Sequence, residues 1–354
     1  HVRSAAVEAA LTSELPLNAP RYLDQPIDVI DLHMHPGKFD DLGPVGRDFL
    51  RKTLPDFLPV KLKDLSLSVA ANFLLNPYGS FIGIKTESEH AGINAVGLFA
   101  VYAPSTWGVT SNESVMAYLD DVRNLDNKGK AYFFGLASVR MQDWAQHEAE
   151  QLAALRKALD HPLMKGIKLA FIHNSVPLND SQYDSIYEVA AEKRVPVYHH
   201  IGSSPLRKLG DVGDEEAQLR YIASYDPAGL ERALIKYPSV NFIMGHLGYD
   251  FNNEGISFTE KVFELAEKYP NVYLEISAFG DATHDPDGTQ MSFVLEKIKR
   301  LGLIHRTIYG SDGPTIPGGT KKYLQATLSA MQKLGYTYAE AEAVMAGNLR
   351  ALTR

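Results

Sequence analysis

Histidine and aspartate residues recur at the ends of short apolar segments of the chain. The first segment ends in His33-x-His35, and two residues at this spacing on a strand point to the same side. Later segments end at or near His200, His246 and Asp312. Imidazole nitrogens and carboxylate oxygens are ligands for Zn²⁺ and, with less preference, for Mn²⁺, Fe²⁺ or Ni²⁺. These residue types therefore predict a divalent metal site, most simply for Zn²⁺.

Two further ionisable residues lie inside apolar segments. Lys168 is surrounded by apolar residues in the fourth segment. A buried ammonium without a partner is costly, so such a lysine is paired, neutral or chemically changed. Reaction with carbon dioxide would give a carbamate that can bridge two metal ions, and an ion pair with Asp or Glu is the alternative. Glu275, in the seventh segment, is a candidate acceptor for the ring N–H of a metal-bound imidazole.

The loops after the segments supply candidate substrate-binding residues. Arg140 follows the third segment and Arg207 follows the fifth, so either arginine could bind an anionic group of a small-molecule substrate. Solvated loop charge is the alternative for both. Tyr249, in the loop after the sixth segment, could shape the pocket. His173, just past the fourth segment, and His284, in the loop after the seventh, could touch substrate, but we expect a structural role for each.

Eight apolar segments must position these residues. They alternate with stretches in which apolar residues recur at helical spacing. Alternating strands and helices specify parallel β/α architecture, and eight such units favour a closed (β/α)8 TIM barrel over an open sheet. Functional groups then lie at the C-terminal ends of the strands. The predicted strands span residues 28–32, 95–102, 131–139, 166–171, 195–198, 240–244, 272–276 and 307–309.

The chain is longer than eight β/α units need, and the additional residues fall in two places. Residues 1–26 read as an N-terminal arm with a short helix over 5–11, followed by prolines at 16, 20 and 26. Residues 27–354 form the barrel domain, with an insertion over about 36–89 that contains a helix over 62–75. We expect the insertion to form a lid or the surface of a homodimer.

Composition excludes several classes of protein. The 354 residues contain no cysteine, which excludes disulfides, thiolate metal sites and a cysteine nucleophile. A net charge of -8 argues against nucleic-acid binding. The longest nearly apolar run, 91–103, is shorter than the ~20 residues of a membrane span, so we expect a soluble protein. Because the chain begins at His1, we expect that an upstream segment was removed, and cytoplasmic and exported locations stay open.

The ordered motifs resemble the amidohydrolase superfamily, specifically its amidohydrolase 2 branch. The resemblance covers roughly residues 28–351. It rests on His33-x-His35, Lys168 in Gly-Ile-Lys-Leu, His200 in Pro-Val-Tyr-His-His, His246 in Gly-His-Leu-Gly, Asp312 in Gly-Ser-Asp-Gly-Pro and the closing Ala-Gly-Asn-Leu-Arg. It favours His200 over the adjacent His199 as the residue that faces the site.

The resemblance implies a (β/α)8 barrel whose metal lies between His33, His35 and Asp312, with His200 and His246 on the other side of the reacting centre. Two family patterns compete. In phosphotriesterase-like members the lysine of the fourth strand is carbamylated and two metals are bound. In decarboxylase-like members one metal is held by the His-x-His pair, the histidine of the fifth strand and the aspartate, and the histidine of the sixth strand acts in catalysis.

We therefore predict a metal-dependent hydrolase that uses activated water to cleave a carboxylic amide, ester or lactone. The metal would lower the pKa of a bound water toward ~7, and Asp312 would take its proton and return it to the leaving group. The alternative is a metal-dependent, non-oxidative decarboxylase of an aromatic or unsaturated acid, in which His246 is catalytic.

Overall fold

Eight parallel strands form one sheet in the described part of the chain. The computed structural model describes residues 14–73, 79–253, 255–313 and 316–354. The order of the strands in the sheet follows their order along the chain, so each strand pairs with the strands that precede and follow it in the sequence. The predicted TIM barrel is confirmed. Its strands are β1 (Ile30–Met34), β2 (Ala95–Phe99), β3 (Phe133–Ala137), β4 (Met164–Leu169), β5 (Val197–His200), β6 (Phe242–Gly245), β7 (Val272–Glu275) and β8 (Thr307–Ile308).

The first and last strands meet through contacts just beyond the short β8. The Leu32 amide donates to the carbonyl of Tyr309 at 3.2 Å, and Met34 forms a parallel bridge with Gly313. Strand β1 begins two residues later than predicted. Ile27 and Val29 are apolar too, but this stretch directly follows a hairpin, and the Ile27 amide donates to the Pro20 carbonyl.

Helices lie between the strands and cover the outside of the barrel. Most strand residues are fully buried, because the outer faces pack on helices and the inner faces on one another. The helices are α1 (Pro44–Arg51), α2 (Val60–Phe73), α3 (Phe81–His90), α4 (Asn112–Asp120), α5 (Trp144–Leu159), α6 (Asp184–Lys193), α7 (Glu215–Ala223), α8 (Glu231–Lys236), α9 (Ser257–Lys268), α10 (Thr289–Arg300), α11 (Gly319–Lys333), α12 (Tyr338–Glu342) and α13 (Asn348–Leu352).

The segment predicted as an insertion divides into two parts. Helix α3 carries Phe81 and Ile84 into the main hydrophobic core, so it occupies the place of the first outer helix of the barrel. Helices α1 and α2 instead form a small separate core, in which Leu67 is buried beside Trp107. The predicted helix over 62–75 corresponds to α2, and its last two positions lie outside the described residues. A lid or dimer role for this part stays a prediction.

The described part of the arm packs on the barrel through its backbone and side chains. A hairpin pairs Arg21–Tyr22 with Gln25–Pro26, and the buried Tyr22 hydroxyl donates to the Tyr336 carbonyl at 2.5 Å. Asn18 donates to the carbonyl of Glu89 at 2.8 Å. The helix predicted over 5–11 lies outside the described residues. Within the residues that the structure describes, no helix is long and apolar enough to cross a membrane.

Candidate metal centre

Three ligand atoms converge where β1 and β8 end. The Nε2 atoms of His33 and His35 are 3.0 Å apart. The Oδ1 atom of Asp312 lies 3.0 Å from the first nitrogen and 3.1 Å from the second. His33 is fully buried, whereas the side chain of Asp312 is 34% exposed. The group is therefore open on the side of the carboxylate.

These three residues fit a divalent ion. Ligand atoms bound at right angles to one ion at ~2.1 Å are about 3 Å apart, which is the spacing seen among the three atoms. Two imidazole nitrogens and one carboxylate oxygen are also a donor set that Zn²⁺ and Mn²⁺ accept. His33, His35 and Asp312 would hold the ion. Their assignment as ligands stays a prediction.

Glu275 orients the buried His33 from behind. Its Oε2 atom lies 3.0 Å from His33 Nδ1, and the Tyr198 hydroxyl contacts both of these atoms. The other oxygen, Oε1, accepts from the Ser277 amide at 2.6 Å. A carboxylate that binds the second ring nitrogen fixes the orientation of the ring. It leaves Nε2 directed at the other two candidate ligand atoms. This is the contact expected for Glu275 from its place in the sequence.

Burial and the two carboxylates together set the protonation states of His33 and His35. Burial alone would lower the pKa of His33, but Asp312 and Glu275 outweigh it and raise that pKa to about 9. Burial lowers the pKa of His35 to about 4. Burial would raise the pKa of Asp312, yet the charge on His33 holds it well below its usual range. Without a metal ion, the site at neutral pH therefore pairs a charged His33 with two ionised carboxylates.

This charge state predicts that a metal ion must displace a proton. Because His33 must be neutral to bind a metal, loading the metal-free protein at pH 7 should release about one proton per ion. Apparent affinity should rise about tenfold per pH unit up to the pKa near 9, and level off above it. Titration calorimetry in two buffers of different ionisation enthalpy measures the proton count. A binding heat that is the same in both buffers would contradict the prediction.

Buried Asp31 holds the backbone on either side of this site. Its Oδ1 atom accepts from the His33 amide at 3.0 Å and from the Ser311 amide at 2.9 Å. Asp312 adopts φ +58°, a left-handed conformation that aspartate tolerates better than most residues. At Gly310 a Cβ would lie 3.0 Å from the Cβ of His33. A side chain at position 310 would therefore crowd His33, where the ends of β1 and β8 lie close together.

The ring of His246 lies beside the three candidate ligand atoms. Its Nδ1 atom lies 2.7 Å from the Ser277 hydroxyl, and its Nε2 atom lies 3.9 Å from Asp312 Oδ2. Burial lowers the pKa of His246 to about 4, so the ring is neutral at pH 7. His246 also forms a second group of possible ligand atoms with His33 and Glu275. The ring can thus act as a ligand or as a catalytic group.

The two adjacent histidines of β5 face opposite ways. His199 points outward to helix α6, where its Nε2 atom lies 2.8 Å from the Tyr187 hydroxyl. His200 faces inward, and its ring packs edge-on against that of His246 at 4.7 Å. Its Nε2 atom contacts the carbonyls of Gly202 and Ser203. A nitrogen between carbonyl oxygens must carry the proton, so the lone pair is on Nδ1.

Lys168 reaches the same region from β4. It is buried, and no carboxylate of the described residues forms an ion pair with its Nζ atom. Burial lowers the pKa of Lys168 to about 8, although Asp312 and Glu275 oppose this shift. The amine therefore lies close enough to both carboxylates to sense their charge, and too far from them to pair.

A cavity of about 470 Å³ opens over these groups. His35, Lys168, His200, His246 and Asp312 all line it. Its volume lies in the range of pockets for small molecules. Its other walls include side chains from the loops above the barrel and from α1, among them Trp107, His173, Phe251, His284 and Phe49.

The predicted substrate-binding residues lie elsewhere. Arg140 is exposed, and Arg207 is half-buried with its guanidinium 5.7 Å from the ring centre of Tyr221. Tyr249 is fully buried, and its hydroxyl donates to the carbonyl of His284 at 3.1 Å. None of the three is among the residues that line the cavity. A substrate contact for each of them stays a prediction.

His173 and His284, for which a substrate contact is the alternative to the expected structural role, both line the cavity. His173 lies in a short helical turn directly after β4, and its ring is 5.8 Å from that of His200. Its position just past a strand end is the sequence signal that marks it. His284 lies in a long loop after β7, where spacing carries no such signal.

Solved structures share this fold over almost the whole chain. An uncharacterized TIM-barrel protein from Bordetella bronchiseptica has a TM-score of 0.59 at 17% identity, covering 92% of this chain and 98% of that one. A probable 2-pyrone-4,6-dicarboxylic acid hydrolase from Acinetobacter baumannii, with citric acid bound, has a TM-score of 0.58 at 15% identity, covering 92% and 99%.

A third structure is 5-carboxyvanillate decarboxylase from Novosphingobium aromaticivorans, complexed with manganese and 4-hydroxy-3-methoxy-5-nitrobenzoic acid. Its TM-score is 0.56 at 16% identity, with coverage of 93% of this chain and 97% of that one. At these identities the likeness concerns the fold. A search of curated proteins gives no match.

The sequence profile of the amidohydrolase family matches residues 107–352. The match begins after β2, so His33 and His35 lie outside it, whereas the motifs around Lys168, His200, His246 and Asp312 lie inside. It starts later than the resemblance over 28–351 that the motifs suggested. Because the match covers more than half of the chain, the protein belongs to the amidohydrolase family and is an enzyme of this metal-dependent type.

Proposed function

We propose that the protein is a hydrolase that cleaves a carboxylic amide, ester or lactone in the cavity above β1 and β8. The observation that carries this proposal is the position of Asp312. Its carboxylate touches two imidazole nitrogens and is partly exposed to the cavity. A substrate in the cavity would therefore meet a base and the candidate ligand atoms at the same point.

Each residue of the site would have a separate role in hydrolysis. A divalent ion held by His33, His35 and Asp312 would supply a Lewis acid that polarises a carbonyl oxygen and acidifies water. Asp312 is ionised at neutral pH, which is the form that accepts a proton from water and can return it to the leaving group. His246, neutral and fixed by Ser277, lies where it can hydrogen-bond to the reacting carbonyl.

Decarboxylation of an aromatic or unsaturated acid is a second candidate. The set of His33, His35 and Asp312 contains three of the four ligands of the one-metal pattern expected for decarboxylase-like members, in which His200 is the fourth. Trp107 and Phe251 give the cavity aromatic walls that suit a planar ring. In this reaction His246, neutral at pH 7, would help to orient the carboxylate, and a proton from water would replace the carbon dioxide that leaves the ring carbon.

A substrate panel with product analysis separates the two reactions. Esters, lactones, amides and aromatic acids are offered to the protein loaded with Zn²⁺ or Mn²⁺. Release of a new carboxylic acid supports hydrolysis, whereas release of carbon dioxide supports decarboxylation.

Removal of the metal tests directly whether the reaction depends on a metal ion. Chelator-treated protein should lose at least ~99% of its activity and regain it when Zn²⁺ or Mn²⁺ is added, because the ion supplies most of the charge stabilisation at the reacting carbonyl. Activity and metal content are measured on the same samples. Full activity in protein shown to contain no metal would refute the metal-dependent mechanism.

A further inference from the structure

The surroundings of Lys168 are aromatic rather than acidic. Its Nζ atom lies over the ring of Tyr198 at 4.6 Å and over that of Phe99 at 5.0 Å from the ring centres. The residue is only 3% exposed, and no carboxylate of the described residues forms an ion pair with it. Two ring faces thus take the place that an acidic partner would occupy.

Aromatic faces distinguish between the two chemical forms that this lysine could take. The face of a ring carries partial negative charge, which attracts an ammonium group and repels an anion. A carbamate would bring a full negative charge close to the faces of Phe99 and Tyr198. The same two contacts stabilise an unmodified ammonium.

The cation is left with unused hydrogen-bonding capacity. An ammonium group has three N–H donors, and ring faces satisfy them only weakly. The imidazoles of His173, His200 and His246 line the same cavity as Lys168. A buried cation without an anion is costly, so an anionic ligand would be bound strongly at this position.

We propose that Lys168 stays an unmodified ammonium group that binds a carboxylate of the substrate, and that the centre holds a single metal ion. This inference rests on the proposed function only in that the substrate occupies the cavity. It assigns the substrate class as a small carboxylate-bearing compound. Lys168 then determines specificity and is not a metal ligand.

Benzoate and benzamide test the carboxylate site, because they share a ring and differ in charge. Calorimetry on metal-loaded protein should show benzoate binding that Lys168→Met weakens by about 10- to 100-fold, the usual loss for a hydrogen bond to a charged group. Benzamide binding should change less than about twofold. Lys165→Met is the matched control, since Lys165 lies on the opposite face of the same strand. Equal loss in both variants, or no loss in either, would overturn the proposal.

A measurement that needs no variant tests the chemical state of the lysine. The metal-loaded protein is incubated with ¹³C-bicarbonate and studied by native mass spectrometry and ¹³C NMR. We expect one metal ion per chain, no added carbon dioxide and no carbamate signal. A second metal ion whose binding depends on bicarbonate, with a mass increase of one carbon dioxide, would overturn the proposal.

The outcomes separate this inference from the proposed function. Loss of benzoate binding in Lys168→Met supports the carboxylate site even if no ester, lactone or amide is cleaved. Once a carboxylated substrate is known, Lys168→Met should raise KM by a larger factor than it lowers kcat, with metal content unchanged. A fall in metal content with KM unchanged would instead make Lys168 a metal ligand.

Discussion

Replacing Asp312 with asparagine is expected to lower kcat by about 10²- to 10⁴-fold, the usual contribution of a positioned general base. Asparagine keeps the shape of the side chain and its left-handed backbone, so the fold should survive. It removes the carboxylate that touches both imidazoles and faces the cavity. Metal affinity should fall as well, because a charged ligand becomes neutral.

Initial rates, metal content and a thermal unfolding curve on the same preparation separate these effects. At saturating metal, the loss in kcat should persist, since the base is still missing. Asp287→Asn, which changes an exposed aspartate in the loop after β7, is the surface control. If Asp312→Asn recovers near wild-type kcat once enough metal is added, Asp312 is a ligand and not the proton acceptor.

Glu275→Gln should destabilise the metal-free protein by about 3–5 kcal/mol at pH 5.5 to 6, because it leaves the charged His33 buried with one partner removed. Burial would raise the pKa of Glu275, but His33 outweighs it and lowers that pKa to about 2. The pair therefore stabilises the fold fully above the ordinary glutamate pKa of 4.5 and below the ordinary histidine pKa of 6.5. Its contribution is lost as pH falls toward 2 or rises through 9.

The same change should weaken metal binding by about 10- to 100-fold, since Glu275 orients His33 toward the ion. Urea unfolding of metal-free protein across pH gives the stability, and competition with a chelator gives the affinity. Glu267→Gln, at an exposed position on α9, controls for the loss of a surface charge. A stability difference that stays constant from pH 3 to pH 10 would show that Glu275 acts through packing alone.

The sequence was informative for those site residues whose position and direction are fixed by strand geometry. Parallel strands in a barrel bring their C-terminal ends to one face, so His33, His200, His246 and Asp312 could be placed together from their positions alone. The alternation of side chains allowed only one of His199 and His200 to face inward, and the contact of His199 with Tyr187 shows that it is the one that points outward.

Loops and long-range contacts escaped prediction for a physical reason. Arg140 and Arg207 follow strands as His173 does, yet only His173 turns toward the cavity. Loop direction depends on tertiary contacts, such as the Thr106 hydroxyl that donates to the carbonyl of His173. The pairing of Tyr198 with Glu275 and the ring faces around Lys168 likewise depend on which strands become neighbours. Local spacing does not encode these contacts.

The contact of Asp31 with Ser311 joins residues that are 280 positions apart. A ribosome must therefore deliver every residue from β1 to β8 before the ends of these two strands can meet, and contacts this distant form late and slowly. The three candidate ligands come together only when β8 has reached β1, so an ion that needs all three would not nucleate folding. Such an ion would bind after the last strand has docked, and it would then stabilise the completed barrel by mass action. Tight metal binding would thus mark the molecules in which the barrel has closed.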